Sequence, residues 1–216
     1  MNLITNILNC IDVIAPLVTL FFFIKPFKRM PKELYYFFGF IGLQFIANLV
    51  AGLLGILEVK NYWVYLANVM FSFLLLSFLF YQLSSKAVKK IIPFASLGFI
   101  VFAIYSIANG DGIASYNSAL SALGSFFIIG YCLSYFYWRL IKDARLSGLT
   151  DSSLFWMIVG LFTYYTGSFF IFISYQYLIV QGEVAVGVLW RFHNLLLTIF
   201  CIYTIYGLLW KDFQKT

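Results

Sequence analysis

Lysine and arginine are spread along this 216-residue chain like boundary markers. Of the 14 basic residues, 12 fall in four short clusters: Lys25, Lys28, Arg29 and Lys32; Lys86, Lys89 and Lys90; Arg139, Lys142 and Arg145; and Lys211 and Lys215. The stretches between them, 33–85, 91–138 and 146–210, are dominated by apolar residues. Each is long enough for two helices of about 20 residues, the length that crosses a bilayer core. Ahead of the first cluster there is room for one more. The spacing predicts seven spans, over 3–24, 34–57, 62–84, 91–109, 113–138, 152–180 and 184–210.

The turns that join the spans away from the clusters, Glu58–Lys60, Gly110-Asp111-Gly112 and Gln181-Gly182-Glu183, are short and nearly free of positive charge. The positive-inside rule therefore puts the clusters in the cytoplasm, the N-terminus outside and the C-terminus inside. The apolar runs are continuous and do not alternate, which selects helices over barrel strands. The chain is 63% hydrophobic and 10% charged, whereas a soluble domain carries about a quarter charged residues. A soluble enzyme, a nucleic-acid-binding module and a disordered chain are excluded on that ground. The net charge of +6 is an orientation signal, so no nucleic-acid partner is expected. The expected architecture is all-α: one polytopic seven-helix domain over 1–216 with the lipid bilayer as its main partner. The first span has neither a basic flank before it nor a cleavage site after it, so it reads as a helix and not a removable signal. No soluble domain is expected at either end.

Polar groups in hydrocarbon are costly and turn towards a bundle interior. Their spacing therefore marks faces. The first span carries Thr5, Asn9, Asp12, Pro16 and Thr19 at steps of three and four, one helical face. The second carries Gln44, Asn48, Gly52 and Gly55; the third Tyr65, Asn68 and Ser72; the fifth Asn117, Ser121, Gly124 and Ser125. The sixth offers Gly160, Thr163, Gly167 and Ser174, and the seventh Gly187, Arg191, Asn194 and Thr198. These stripes are either glue between helices, through close approach and interhelical hydrogen bonds, or the lining of one polar interior. The fourth span has only scattered Pro93, Ser96 and Ser106 and reads as a peripheral connector.

Two charges lie away from loops and helix ends. Asp12 is 13 residues from Lys25, about 20 Å along the helix at 1.5 Å per residue. Arg191 is 20 residues from Lys211, about 30 Å along, where its stem either reaches inward to Asp12 or anchors in the headgroups. His193 is the only histidine. It falls about 160° round the helix from Arg191, off the stripe of Arg191, Asn194 and Thr198, as a packed or headgroup-facing imidazole. Cys10, Cys132 and Cys201 read as small apolar residues and not as a disulfide framework. No metal-ligand cluster, nucleophile motif or phosphate loop occurs, so neither a cofactor nor an enzymatic activity is expected.

The third and seventh spans place Asn68 and Asn194 at matching distances from the next basic cluster, each followed four residues on by a hydroxyl, Ser72 and Thr198. The second and sixth begin alike, Leu34-Tyr-Tyr-Phe-Phe-Gly39 against Leu154-Phe-Trp-Met-Ile-Val-Gly160. Segments 1–90 and 113–216 thus read as parallel repeats joined by the helix at 91–109. This 3+1+3 layout resembles the SWEET and PQ-loop sugar or amino-acid transporters: Pro16 sits where that family has its first-helix proline, Asn68 and Asn194 where its paired pocket asparagines lie. The chain has no Pro-Gln pair, so the likeness is one of topology and polar positions. The C-terminal third, with Ser153-Leu-Phe-Trp156, Tyr164-Tyr-Thr-Gly167 and Leu189-Trp-Arg-Phe-His-Asn194, is similar to small seven-helix membrane modules of Bacteroidota, found alone or as sensor regions of histidine kinases. That resemblance implies a sensing role in a bacterial inner membrane, with output through a partner protein. The expected ligand site comprises Asn9, Asp12, Gln44, Asn68, Arg191, Asn194 and Thr198. It would serve a sensor, a small-solute transporter or, if the stripes are packing alone, an assembly subunit.

Overall fold

A computed structural model describes residues 3–24, 27, 30–109, 112–142 and 152–210, with backbone only at 3–9, 142, 181 and 183–185. Seven helices follow in order: α1 (Leu3–Ile24), α2 (Lys32–Ile56), α3 (Tyr62–Leu83), α4 (Lys86–Ala108), α5 (Ser118–Lys142), α6 (Ser153–Gln181) and α7 (Glu183–Leu209). Among the described residues, six helices, α2 to α7, are long and apolar enough to cross a membrane; α1 adds an apolar stretch at Cys10–Ile24. The protein is a polytopic helical membrane protein.

Three boundaries differ by four residues or more from the sequence reading, one of them the end of the fifth helix, at Lys142 and not at 138. The fourth helix starts at Lys86 and not at 91, so Lys86, Lys89 and Lys90 form its opening turns. Long lysine stems can lead back to water while the backbone is already helical. The fifth starts at Ser118 and not at 113. The Asn117 side-chain oxygen accepts a hydrogen bond from the Leu120 N–H at 2.9 Å, which caps the helix there. The residues before it form a turn opened by Gly112 at φ 84°, whose N–H bonds the Ser115 carbonyl at 2.9 Å. Only glycine adopts that φ at no cost, and a Cβ here would also meet Leu66 at 3.0 Å. The turn delivers Tyr116 into the bundle, where it is buried.

Helices α1, α2, α3, α5, α6 and α7 pack in that order as a ring, closed by α1 against α7; α4 lies outside, against α3 and α5. Its Phe99 is fully buried between them, stacked on Phe73 at 3.9 Å. Gly124 of α5 leaves room for that ring, 3.2 Å from where a Cβ would stand. Large apolar side chains such as Phe71, Phe94, Tyr105, Phe170 and Ile202 are exposed on the outside, as lipid-facing residues are in a bundle that water does not surround.

The ring has two layers. In the half towards the basic clusters, Phe37, Phe40, Leu76, Phe80, Met157, Leu161 and Phe200 are fully buried and fill the centre. Phe200 meets Phe40 at 5.5 Å and Phe37 at 6.4 Å. In the other half, polar side chains face inward. The tightest interface joins α6 to α7, where Gly160 faces Tyr203 and the Phe200 carbonyl, Gly167 faces Leu196, and Gly207 faces the Ser153 carbonyl. Small residues here let the backbones approach. Gly52 and Gly55, by contrast, have open space around them and make no close approach.

Gly160→Ala and Gly52→Ala should therefore part company in thermal unfolding. The first forces a methyl within 2.6 Å of the Tyr203 Cβ and should cost about 1–3 kcal/mol. The second meets nothing within 4 Å and should be neutral or stabilising by up to about 1 kcal/mol.

Candidate functional site

Every helix of the ring contributes to one cavity of about 200 Å³. Asp12 comes from α1, Gln44 and Asn48 from α2, Tyr65, Asn68 and Ser72 from α3, and Ser121, Gly124 and Ser125 from α5 with Tyr116 from the turn before it. Tyr164, Tyr165 and Phe172 come from α6, and Trp190, His193 and Asn194 from α7; Val69, Phe73 and Ile128 complete the wall. Asn68 stands six residues and Asn48 eight from the helix ends remote from the basic clusters, about 9–12 Å along. The cavity thus occupies the half of the bundle that the packed core leaves free.

One wall is an amide network. Gln44 and Asn68 exchange two hydrogen bonds: Gln44 Nε2 donates to Asn68 Oδ1 at 3.2 Å, and Asn68 Nδ2 donates to Gln44 Oε1 at 3.1 Å. Ser72 joins both, accepting from Gln44 Nε2 at 3.0 Å and donating to Asn68 Oδ1 at 3.2 Å. The spacing of Asn68 and Ser72, four residues apart on α3, sets them beside one glutamine of α2.

A second contact repairs a defect in α1. Pro16 lacks the N–H that would bond the carbonyl four residues earlier, and that carbonyl belongs to Asp12. Asn48 Nδ2 of α2 donates to it at 3.0 Å. The Asp12 side chain, on the same turn, faces the cavity with its Oδ1 buried and without a hydrogen-bond partner. Pro16 and Thr19 of the same stripe are buried as well.

The seventh helix faces the cavity with a different stripe from the expected one. Trp190, His193 and Asn194 line it, and Leu197, Phe200, Cys201 and Thr204 continue that face as buried residues towards the basic end. Arg191 does not line the cavity. No ion pair joins it to Asp12 among the described residues, its Nε has no hydrogen-bond partner, and its Nη2 turns back towards Gly187, 3.7 Å from where a Cβ would stand. A guanidinium stem runs outward along its helix more cheaply than into a bundle. Thr198 does not line the cavity either: its hydroxyl donates to its own helix, to the Asn194 carbonyl at 2.9 Å. The side chain of Asn9 lies outside the described residues. Asp12, Gln44, Asn68 and Asn194 are brought together as expected.

His193 is the residue that reading the polar stripe missed. Its Nε2 lies 3.2 Å from the Tyr164 hydroxyl and its Nδ1 3.1 Å from the Ser168 hydroxyl, so α6 fixes the ring through both nitrogens. Trp190 and Phe172 pack on it, with centroids at 5.6 and 5.4 Å. A hydroxyl against an imidazole is half of a nucleophile–base pair. Ser168, however, is fully buried, and both ring nitrogens are already taken by hydroxyls. The signal for His193 was the aromatic spacing: Trp190, His193, Leu197 and Phe200 repeat at steps of three and four.

Above the amides lies an aromatic layer. Tyr65 and Trp190 stack at 5.6 Å and 23°. Tyr116 stands edge-on to both, at 85° and 78°, and its hydroxyl donates to Ser121 at 3.0 Å. Tyr175 closes the cluster, 4.9 Å from Tyr116. Cys132 and Cys201 are buried, while Cys10 is exposed, and all three are free thiols. Among the described residues no three His, Cys, Asp or Glu side chains gather as metal ligands.

No family model matches the chain, and neither a curated protein nor a solved structure matches it.

If Asn48 serves the carbonyl that Pro16 leaves unpaired, the two substitutions compensate. Asn48→Leu alone should cost about 1–3 kcal/mol, the price of one unsatisfied buried carbonyl. In a Pro16→Ala background, which restores a helical N–H, the same change should cost clearly less. Thermal unfolding of the two single variants, the double variant and the parent gives the coupling; strict additivity would show that the contact carries no stability.

Proposed function

We propose that this protein is a non-enzymatic, receptor-like membrane module that binds a small polar ligand in the cavity and passes the bound state to a partner protein. The observation that carries this reading is an asymmetry. Six helices converge polar side chains on one half of the bundle, while the other half is filled with fully buried aromatic and aliphatic residues. Packing alone needs no space, and polar glue between helices is satisfied pairwise. A cavity of about 200 Å³ corresponds to roughly seven water volumes of about 30 Å³. It lies below the usual ligand-pocket range of about 300–1,000 Å³, so the ligand is a compact solute. The positive-inside rule places the cavity on the external side and the packed half towards the cytoplasm. The likeness to sensor regions of bacterial histidine kinases fits a bacterial inner membrane and an output through a partner. A ligand touching all six ring helices would bias their relative positions, which is what a receptor of this kind requires.

A transporter is the second reading, and one observation favours it. Asn68 of α3 and Asn194 of α7, the matching residues of the two three-helix segments, both line the cavity. Transport would require the core of Phe37, Phe40 and Phe200 to open.

The test is a small-solute panel against the purified protein in lipid nanodiscs, read by thermal shift. Asn194→Leu, which puts an apolar side chain on the cavity wall, and Asn68→Leu, which breaks the amide network and leaves Gln44 unpaired in that wall, should each weaken binding of any hit by about tenfold or more, 1.4 kcal/mol per tenfold. Hits that bind both variants as tightly as the parent would remove the ligand from the cavity. Movement of a hit across proteoliposomes carrying this protein alone would favour the transporter.

A further inference from the structure

Resting on that reading of the cavity, we infer that its ligand is a small organic cation of the ammonium class, held between the Asp12 carboxylate and the aromatic layer of Tyr65, Tyr116 and Trp190. Charge is the first ground. Among the described residues Asp12 is the one acidic residue that lines the cavity, and no lysine or arginine lines it. Arg191, next to Trp190 in the chain, is not among the residues that line the cavity, and its Nη2 lies towards Gly187. His193 has both ring nitrogens engaged by the Tyr164 and Ser168 hydroxyls, so a direct contact with the Asp12 carboxylate would displace one of them. The carboxylate Oδ1 is buried and has no donor, whereas the neighbouring amides of Gln44 and Asn68 satisfy one another. What the site lacks is a positive charge.

The shape of the aromatic layer is the second ground. Aromatic rings attract a cation through their negative faces, and a layer of packed rings bordering a cavity offers such a surface to an alkylammonium ion. Tyr116 stands at 85° to Tyr65 and 78° to Trp190, and all three line the cavity. A bare metal cation would instead call for several oxygen ligands round one point, and no group of three acidic, histidine or cysteine side chains gathers among the described residues. An anionic ligand would set its charge against that of Asp12, and among the described residues no lysine or arginine lines the cavity to hold the carboxylate of a zwitterion. A carboxylate on one side and crossed rings on the other suit one compact, singly charged head carrying methyl groups or N–H donors.

Calorimetric titration in nanodiscs tests this with choline and tetramethylammonium, against 3,3-dimethyl-1-butanol, the neutral isostere of choline, and against sodium chloride. Choline or tetramethylammonium should bind saturably, and the isostere about tenfold or more weaker. Asp12→Asn should lose about tenfold or more in choline affinity, while Asp12→Glu stays within about threefold. Trp190→Leu should weaken choline binding by about threefold to tenfold, with Trp190→Phe recovering most of it. The tryptophan pair decides the matter if Asp12→Asn does not fold. Equal binding of choline and its isostere overturns the cation assignment and leaves the ligand cavity standing. So does a hit among the neutral or acidic solutes of the panel with no binding of either ammonium ion. Competition by sodium at the same site overturns the organic nature of the ligand. Failure of every solute in the panel, cations included, would overturn both the assignment and the cavity reading on which it rests.

Discussion

Inside hydrocarbon every backbone N–H and C=O must find a partner within the protein, and the interior of this bundle is arranged round the place where α1 breaks that rule. Pro16 withholds one N–H, the Asp12 carbonyl loses its helical partner, and Asn48 of α2 reaches across to it. That single bond brings an amide of α2 to the wall of the cavity and fixes the turn of α1 that carries the Asp12 carboxylate. One turn further along α2, Gln44 continues the same face and ties α2 to α3 through Asn68 and Ser72. The α1–α2–α3 side of the ring is therefore joined by hydrogen bonds. The α6–α7 side is joined by glycines and close backbone approach. The two kinds of adhesion differ in what they leave behind: amides leave donors and acceptors in the interior, whereas glycine contacts leave no space. The cavity follows the first kind.

Charge clustering made the helices legible. Basic groups cannot be buried cheaply in lipid, so their positions divide the chain whatever the interior packing, and all seven helices lie where those divisions put them. Boundaries were less legible because they depend on local contacts. The Asn117 cap and the positive φ of Gly112 shorten α5 at its start, and the Tyr116 that they turn inward could not be read as a cavity residue from the span pattern. In the site, Asp12, Gln44, Asn68 and Asn194 were legible because each belongs to a polar stripe whose neighbours are also inward. On α7 the polar stripe misled. Arg191 and Thr198 are polar, yet neither lines the cavity: the Arg191 Nη2 lies back towards Gly187 on its own helix and Thr198 bonds its own backbone. Amphipathic logic fails where the inward face is aromatic and the interior is itself part polar. The stripe of Trp190, His193, Leu197 and Phe200 is a steadier guide there, because bulky rings at steps of three and four need a facing groove wherever they lie.

The position of α4 follows from the same balance. It carries no polar stripe, so it has no stake in the interior, and it rests on the ring through Phe99 set into the space left by Gly124. Leaving α4 outside allows α3 to pack directly on α5. This brings Tyr65 and Ser72 into the same cavity as Ser121 and Ser125. A ring of seven would enclose a wider space. A ring of six, with its lower half filled by Phe37, Phe40, Phe80 and Phe200, reduces the opening to the dimensions of a small solute.

The charge economy of the chain makes Asp12 the exception that remains. Nearly every other charged side chain stands at a helix end or in a connection, where water or headgroups solvate it. A carboxylate near the middle of a span costs about 3 kcal/mol even on the milder insertion scales. An internal ion pair with Arg191 would have offset that cost. The structure keeps the two apart, so the offset falls to the backbone N–H groups of Asp12 and Val13 and to the polar cavity itself. Among the described residues the hydrogen bond that ties α1 to α2 at Asp12 is made by the backbone carbonyl, which any residue supplies. The carbonyl is part of how the cavity is built, and the carboxylate beside it sets the charge of the cavity.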